Sequence, residues 1–199
     1  MSELYKHLYE MLSPITKSAE EYSLRLTEKY LDNVSLSAAN VDELSETLGG
    51  NLQTAIFVKL AVCLASRHGV DSFKFGERHT SEEMREYFKS VFLPLSVETV
   101  YIMCLDSDKR VISCDFVGEG TVNQSTVLSR RMMEIALKRR AKYVITAHNH
   151  PNGNAEFSRE DTEATSVLCE LFRASGMALM GHYVIAGKES QEMKILPEC

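Results

Sequence analysis

The fold is decided by one stretch of sequence, which reads His148-Asn149-His150-Pro151, then residues 152–157, then Ser158-Arg159-Glu160-Asp161. Residues 141–147, just before it, are mostly apolar and β-prone, which predicts a buried strand. The pair Asn152-Gly153 predicts a tight turn. Ser158, followed by Asp161 three residues later, predicts the capped start of a helix. The stretch is therefore predicted to be the end of a strand, a loop and the beginning of a helix.

The spacing of the polar residues in this stretch suits a metal ion. Residues i and i+2 of an extended chain point to the same side, so His148 and His150 can present two imidazoles to one ion. Asp161 falls on the apolar face of its helix, where a carboxylate is costly unless it is paired or bound to a metal. Ser-x-x-Asp alone is typical of a helix cap, and H-x-H alone of two loop histidines. Together they favour a zinc site with His148, His150 and Asp161 as ligands and one open position.

The pattern H-x-H-x7-S-x2-D, formed by His148, His150, Ser158 and Asp161, is similar to the JAMM (MPN+) metalloprotease signature. The string AHNHPNG at residues 147–153 resembles the RadC-like bacterial branch of that family. The resemblance extends over residues 80–187 and includes the following flanking residues: Gly120, Thr121, Arg130, His182, Tyr183, Val184 and Ile185. The sequence departs from the RadC-like pattern at Asn152, Ser129 and Gly181, where serine, proline and aspartate are usual.

Two domains are predicted, residues 1–78 and residues 79–199. In the second, strands are predicted over residues 99–105, 111–117 and 141–147, with one or two more over 177–180 and 182–186. Helices are predicted over residues 80–92, 128–140 and 159–175. The predicted strands and helices alternate irregularly and include a hairpin. This order predicts an α/β (α+β) fold with a mixed β-sheet flanked by helices. The resemblance implies the same JAB/MPN architecture, with a cytidine-deaminase-like layout.

Residues 1–78 are predicted to form a small all-α bundle that contains a glycine turn, Leu48-Gly49-Gly50-Asn51. RadC-like proteins commonly carry a helix-hairpin-helix unit in this region, whose backbone N–H groups can meet phosphate. Here only Lys59 and Arg67 follow on the helix, so the unit is either a degenerate helix-hairpin-helix or a packing bundle with a glycine turn. We expect this region to contribute partner contacts or oligomerisation more than DNA affinity.

Charge and composition exclude some classes of protein. The net charge is −6, and residues 1–78 carry 8 Lys and Arg against 11 Asp and Glu, a net charge of −3. An electrostatic nucleic-acid binder would carry a strong positive excess, so nucleic acid is only a weakly supported partner. The first residues do not begin a signal peptide and no apolar run approaches the length of a membrane span, so we expect a cytoplasmic protein. Five cysteines occur without a C-x-x-C pair, and all but the last lie in apolar runs, which predicts buried free thiols.

Hydrolysis at such a site also needs a base that takes a proton from water and returns it to the leaving amine. Spacing alone leaves Glu98, Asp115 and Glu119 as candidates. The resemblance favours Glu98, just before the strand at residues 99–105, and Glu119 comes next. Ser158 can cap the helix or, as the JAMM pattern implies, donate to the oxyanion of a tetrahedral intermediate. His182 is a candidate for a residue that orients a ligand from behind.

The resemblance therefore implies a zinc-dependent metallopeptidase or isopeptidase that acts on a peptide or isopeptide substrate through water activated by Zn²⁺. The alternative is a RadC-like DNA-associated accessory protein with a metal site and no peptidase role. A zinc deaminase is excluded because the sequence has no P-C-x-x-C to complete such a site.

Overall fold

The chain folds into two compact units, residues 1–68 and residues 69–199. The structure is a computed structural model that describes residues 2–31, 33–120, 125–151 and 153–195. Thr121, Asn152, Cys199 and the side chain of Arg67 lie outside the described part. The unit boundary lies before the boundary predicted after residue 78. The predicted linker begins as helix, and Val70 and Phe73 pack against a core of the second unit.

Helices make up the described part of the first unit. They are α1 (Glu3–Leu12), α2 (Ala19–Lys29), α3 (Asn33–Ala38), α4 (Val41–Thr47) and the first part of α5 (Leu52–Ser72). Leu12, Leu26 and Leu44 are fully buried in their common core. Helix α3 was not predicted, because its sequence NVSLSA has low helix propensity. Its Leu36 is buried in the core, and this burial compensates for the low helix propensity of the segment.

The glycine turn joins α4 to α5. Gly49 and Gly50 both have positive φ angles, 65° and 88°, a region that L side chains rarely adopt. Asn51 then accepts a hydrogen bond from the N–H of Thr54 and so caps α5. Lys59 donates to the carbonyl oxygens of Ser37 and Ala39, at 2.5 and 3.0 Å. Its ammonium group is therefore engaged within the bundle, at the end of α3.

A mixed sheet forms the centre of the second unit, as predicted, and it has five strands. Its strands are β1 (Thr99–Leu105), β2 (Val111–Glu119), β3 (Tyr143–Asn149), β4 (Ala178–Ala186) and β5 (Glu189–Lys194). They lie in the order β2-β1-β3-β4-β5. Only the β3–β4 pair is parallel. The parallel pair places the carboxyl ends of β3 and β4 side by side.

Helices cover both faces of the sheet: α6 (Ser81–Phe92), α7 (Ser125–Arg139) and α8 (Arg159–Ala174). On one face, apolar residues of α7 and α8 such as Leu128 and Phe172 pack on Val100 and Val144 of the sheet. On the other face, α6 packs on a second core through its aromatic residues. Strand β3 is buried along nearly its whole length because it lies between these two layers. No helix in the described ranges has the length and apolar character of a membrane span.

The C-terminal part of the sheet differs from the prediction. Strand β4 runs without interruption through Gly181, and β5 was not predicted at all. The residues of β5, ESQEMK, lack the alternation of apolar and polar side chains that marks a strand. Gly187, with φ 63°, and Lys188 turn the chain so that β5 pairs with β4. Cysteines follow the prediction in part: Cys104 and Cys169 are buried free thiols, whereas Cys63 and Cys114 are half-buried.

We expect Phe172→Ala to lower the free energy of unfolding by about 3–5 kcal/mol, because it leaves a cavity between α8 and the sheet. Phe172 is fully buried in that core. Its neighbour Leu171 is 41% exposed on the same helix, so Leu171→Ala should cost less than about 1 kcal/mol. Urea unfolding followed by circular dichroism measures both, and equal losses would contradict this packing of α8.

Candidate metal centre

The two motif histidines lie at the carboxyl end of β3. Alternation along β3 turns Val144, Thr146 and His148 toward the face covered by α7 and α8. His148 is fully buried there. The N–H of His150 donates to the carbonyl of Ile185 on β4, at 2.8 Å, which fixes the chain just after the strand. The parallel β3–β4 pair thus holds both imidazoles at the amino end of α8.

Three donor groups converge at this point. The Nε2 atoms of His148 and His150 are 3.0 Å apart. Asp161, in the first turn of α8, places Oδ1 3.4 Å from His148 Nε2 and Oδ2 3.7 Å from His150 Nε2. Atoms that ligate a tetrahedral zinc ion at about 2.0–2.2 Å lie about 3.3–3.6 Å from one another. Of the observed separations, 3.4 Å lies in this range, while 3.0 and 3.7 Å lie just outside it and the last involves the other Asp161 oxygen. The three groups are therefore close enough to form a candidate metal site.

The protonation of these groups also fits a cation. Nδ1 of His150 lies 2.7 Å from the carbonyl oxygen of Asn154. A carbonyl oxygen can only accept, so Nδ1 carries a proton, and in a neutral ring Nε2 then keeps its lone pair. Burial raises the pKa of Asp161, but the nearby His148 imidazole and the hydrogen bonds from Ser158 lower it well below its ordinary value. A lone pair and an ionised carboxylate therefore face each other, an arrangement that a cation stabilises.

Ser158 and Asp161 form the predicted capping box at the start of α8. The Ser158 hydroxyl donates to Asp161 Oδ2 at 2.6 Å, the Ser158 N–H donates to the same oxygen at 2.8 Å, and the Asp161 N–H donates to the hydroxyl oxygen at 3.0 Å. Two donors thus occupy Oδ2, while Oδ1 lies on the side of His148. The cap orients the carboxylate before any ion binds.

Glu98 joins the same site from a different part of the chain. One carboxylate oxygen of Glu98 and one ring nitrogen of each of His148 and His150 all lie within 4.8 Å of one another. The cause is strand register: Val100 on β1 pairs with His148 on β3 in antiparallel order, so Glu98 precedes β1 on the side of His150. Two carboxylates therefore flank the imidazoles, Asp161 from α8 and Glu98 from the chain before β1.

The other two acidic candidates are placed differently. Asp115 lies on β2, where Ser113 and Arg139 donate to its carboxylate. Burial raises the pKa of Asp115, but these partners lower it below its ordinary value. Glu119 is exposed at the end of β2, opposite Thr99. Of the three candidates, Glu98 is the one that the fold groups with the histidines.

Sequence reasoning assigned no role to Asn149, which lies between the two histidines. Its Oδ1 accepts from the N–H of Thr99 at 2.7 Å, and its Nδ2 donates to the carbonyl of Val97 at 3.0 Å. Asn149 therefore binds the backbone on both sides of Glu98. The N–H of Gly120 donates to the carbonyl of Glu98 itself, at 2.8 Å. The signal in the sequence is a polar side chain at the end of a strand that begins with mostly apolar residues.

Phe157 and His182 pack against His148 on its other sides. The ring of Phe157 packs edge-on against His148 and His182, with centroid distances of 6.2 and 5.1 Å. His182 Nε2 is 2.8 Å from His148 Nδ1, so His182 supports His148 from behind. Burial and the neighbouring His148 lower the pKa of His182 to about 3, so its ring is neutral.

The part of the chain that contains all these residues, 78–194, matches the RadC-like JAB domain. The chain belongs to this family. The RadC-like JAB domain therefore includes Glu98, both histidines, Ser158 and Asp161, and it begins within the second structural unit.

Bacterial relatives of this RadC-like JAB domain protein carry the name UPF0758 protein. The relative from Geotalea uraniireducens is 32% identical over 152 residues, 76% of this chain and 67% of that protein. The relative from Trichlorobacter lovleyi is 32% identical over 179 residues, 85% of this chain and 74% of that protein. The chain spans a smaller share, 57%, of the relative from Finegoldia magna, to which it is 30% identical over 131 residues.

We expect Asn149→Leu, which keeps the branched shape, to lower the free energy of unfolding by about 1–3 kcal/mol, because the backbone partners of Asn149 lose their hydrogen bonds. Thr146 is a matched control on the same strand, since its buried hydroxyl has no hydrogen-bond partner among the described residues. Thr146→Val should therefore be neutral or stabilising. Urea unfolding compares the two variants, and equal effects would show that the Asn149 hydrogen bonds contribute nothing.

Proposed function

We propose that this RadC-like JAB protein is a zinc-dependent hydrolase of peptide or isopeptide bonds. The observation that carries the proposal is the convergence of two imidazoles and Asp161, whose facing atoms are 3.0–3.7 Å apart, with a second carboxylate, Glu98, beside them. In this proposal His148, His150 and Asp161 hold the ion. The side chain of His150 is 15% exposed, whereas those of His148 and Asp161 are 0% and 3% exposed. Substrate and water therefore approach from the side of His150.

Zinc, when bound, supplies a Lewis acid that polarises a carbonyl group and lowers the pKa of water. Glu98 is the proposed general base. It is half-buried, close to both imidazoles, and held by the hydrogen bonds of Asn149 to Val97 and Thr99. Its carboxylate takes the proton of the attacking water and returns it to the leaving amine.

Ser158 is the proposed oxyanion donor, and its hydroxyl proton has two competing acceptors. In the structure the proton is given to Asp161 Oδ2. A serine hydroxyl has one proton, so donation to an oxyanion requires rotation away from this carboxylate. The N–H of Ser158 would still hold Asp161 Oδ2 after that rotation. The cap and the catalytic role are therefore compatible.

The DNA-associated alternative has less support in the first unit. Phosphate binding at the glycine turn needs cations nearby, and Lys59 is engaged by the carbonyl oxygens of Ser37 and Ala39. The net charge of −3 over residues 1–78 also disfavours phosphate binding. We therefore favour the hydrolase, with a peptide or isopeptide as the substrate class.

We expect one zinc ion per chain by elemental analysis after mild chelation. His148→Ala, His150→Ala and Asp161→Ala should each lose the ion, because each removes one of three ligands. His7→Ala is the control, since His7 is an exposed histidine of α1 in the other unit. Full zinc occupancy in any of the three ligand variants would contradict the assignment.

We expect Glu98→Gln to keep zinc and to lower hydrolysis by roughly 10²–10⁴, the usual contribution of a positioned base. Cleavage of a mixed library of peptides and lysine-linked isopeptides, followed by mass spectrometry at saturating zinc, measures the effect. Glu119→Gln is the control and should retain activity. If Glu119→Gln lost activity and Glu98→Gln kept it, Glu119 would be the base. Loss of zinc in Glu98→Gln would make Glu98 a ligand. A wild-type protein that cleaves no member of the library would contradict the hydrolase.

A further inference from the structure

A chain of buried hydrogen bonds runs behind the proposed metal ligands. His148 Nδ1 lies 2.8 Å from His182 Nε2, and His182 Nδ1 lies 2.7 Å from Thr165 Oγ1. Thr165 Oγ1 lies 2.6 Å from the backbone carbonyl oxygen of Asp161. His148, Thr165 and His182 are all buried. The chain therefore connects two proposed ligands, His148 and Asp161, by a route that avoids the metal.

The backbone carbonyl of Asp161 fixes the direction of every hydrogen bond in this chain. The Asp161 carbonyl can only accept, so the Thr165 hydroxyl gives it its single proton. The Thr165 oxygen must then accept from His182, which places the proton of the neutral His182 ring on Nδ1. His182 Nε2 is left as an acceptor for His148 Nδ1–H. His148 Nδ1 therefore carries a proton, which in a neutral ring leaves the lone pair on Nε2, the atom that faces His150 and Asp161.

We propose that Thr165 and His182 are positioning residues that select the metal-binding tautomer of His148, so that the Thr165 hydroxyl controls metal affinity. The inference rests on the metal site of the proposed function and adds two residues to it. Neither residue is among the proposed ligands. Thr165 acts on His148 only through His182.

The fold explains why these three side chains meet. Thr165 is four residues after Asp161 on α8, the spacing at which a threonine hydroxyl reaches the carbonyl of the preceding turn. His182 is on β4, which pairs in parallel with β3 and aligns His182 with Thr146. The ring of Phe157 packs against both imidazoles and so limits the approach of water. Water is therefore poorly placed to replace Thr165 as the acceptor for His182, or His182 as the acceptor for His148.

Thr165→Val tests the proposal because it removes the oxygen and keeps the branched shape. His182 Nδ1–H then has no acceptor, and the metal-binding tautomer of His148 loses its support. We expect zinc affinity, measured on the full chain by competition with a chromophoric chelator, to fall about 10–100-fold. Thr165→Ser keeps the hydroxyl and should restore affinity to within about 3-fold of wild type. Thr146→Val is the control, since it removes a buried threonine hydroxyl without a described partner beside His182.

A double-mutant cycle separates this chain from a general packing effect. His182→Phe removes both ring nitrogens and should weaken zinc binding at least as much as Thr165→Val. Adding Thr165→Val to His182→Phe should then change affinity by less than about 3-fold, because Thr165 acts through His182. Additive losses, or unchanged affinity in Thr165→Val, would overturn the proposal.

A second readout does not need the metal. Long-range ¹H–¹⁵N spectra of the metal-free chain show which ring nitrogen carries the proton, and we expect Nδ1 in both His148 and His182. Thr165→Val should disturb this pattern and Thr165→Ser should preserve it. A proton on His148 Nε2 in the wild type would overturn the proposal. A wild type with the expected tautomers that binds no zinc would instead refute the metal site of the proposed function.

Discussion

The site depends on the pairing of β3 with a strand on each side. The antiparallel pair with β1 sets Val100 opposite His148 and brings Glu98 to the imidazoles. The parallel pair with β4 aligns His182 behind them and leaves the amino end of α8 at the same edge of the sheet. A shift of either pair by one residue would turn these side chains to the other face of the sheet. Register therefore determines the chemistry as strictly as the identity of the residues.

Local patterns in the sequence predict much of this site. The spacing of His148 and His150 follows from strand geometry, and the cap formed by Ser158 and Asp161 follows from helix geometry. Spacing could not single out Glu98 from the acidic candidates, because its proximity arises from pairing across fifty residues; the family resemblance favoured it. Asn149 and Thr165 were missed for the same reason, since their partners lie on other elements or on the backbone.

The fold likewise contains elements that local sequence patterns predict and elements that they do not. The mixed sheet was predictable because β1, β3 and the helices carry strong apolar patterns. Helix α3 was not, because a buried leucine and its surroundings stabilise a segment of weak propensity. The first unit shows a further limit of sequence patterns. A lysine that follows a glycine turn is typical of phosphate contact, but here Lys59 binds the carbonyl oxygens at the end of a neighbouring helix.

Strand β5 is an outer strand of the sheet, and one of its edges has no partner strand within the described residues. Unpaired strand edges are templates on which other chains can add by backbone hydrogen bonding. In β5 this edge belongs to a strand that carries Glu189, Glu192 and Lys194, together with uncharged polar residues. Charged side chains at an edge oppose such growth. The polar sequence that kept β5 from being predicted therefore also opposes aggregation through this edge of the sheet.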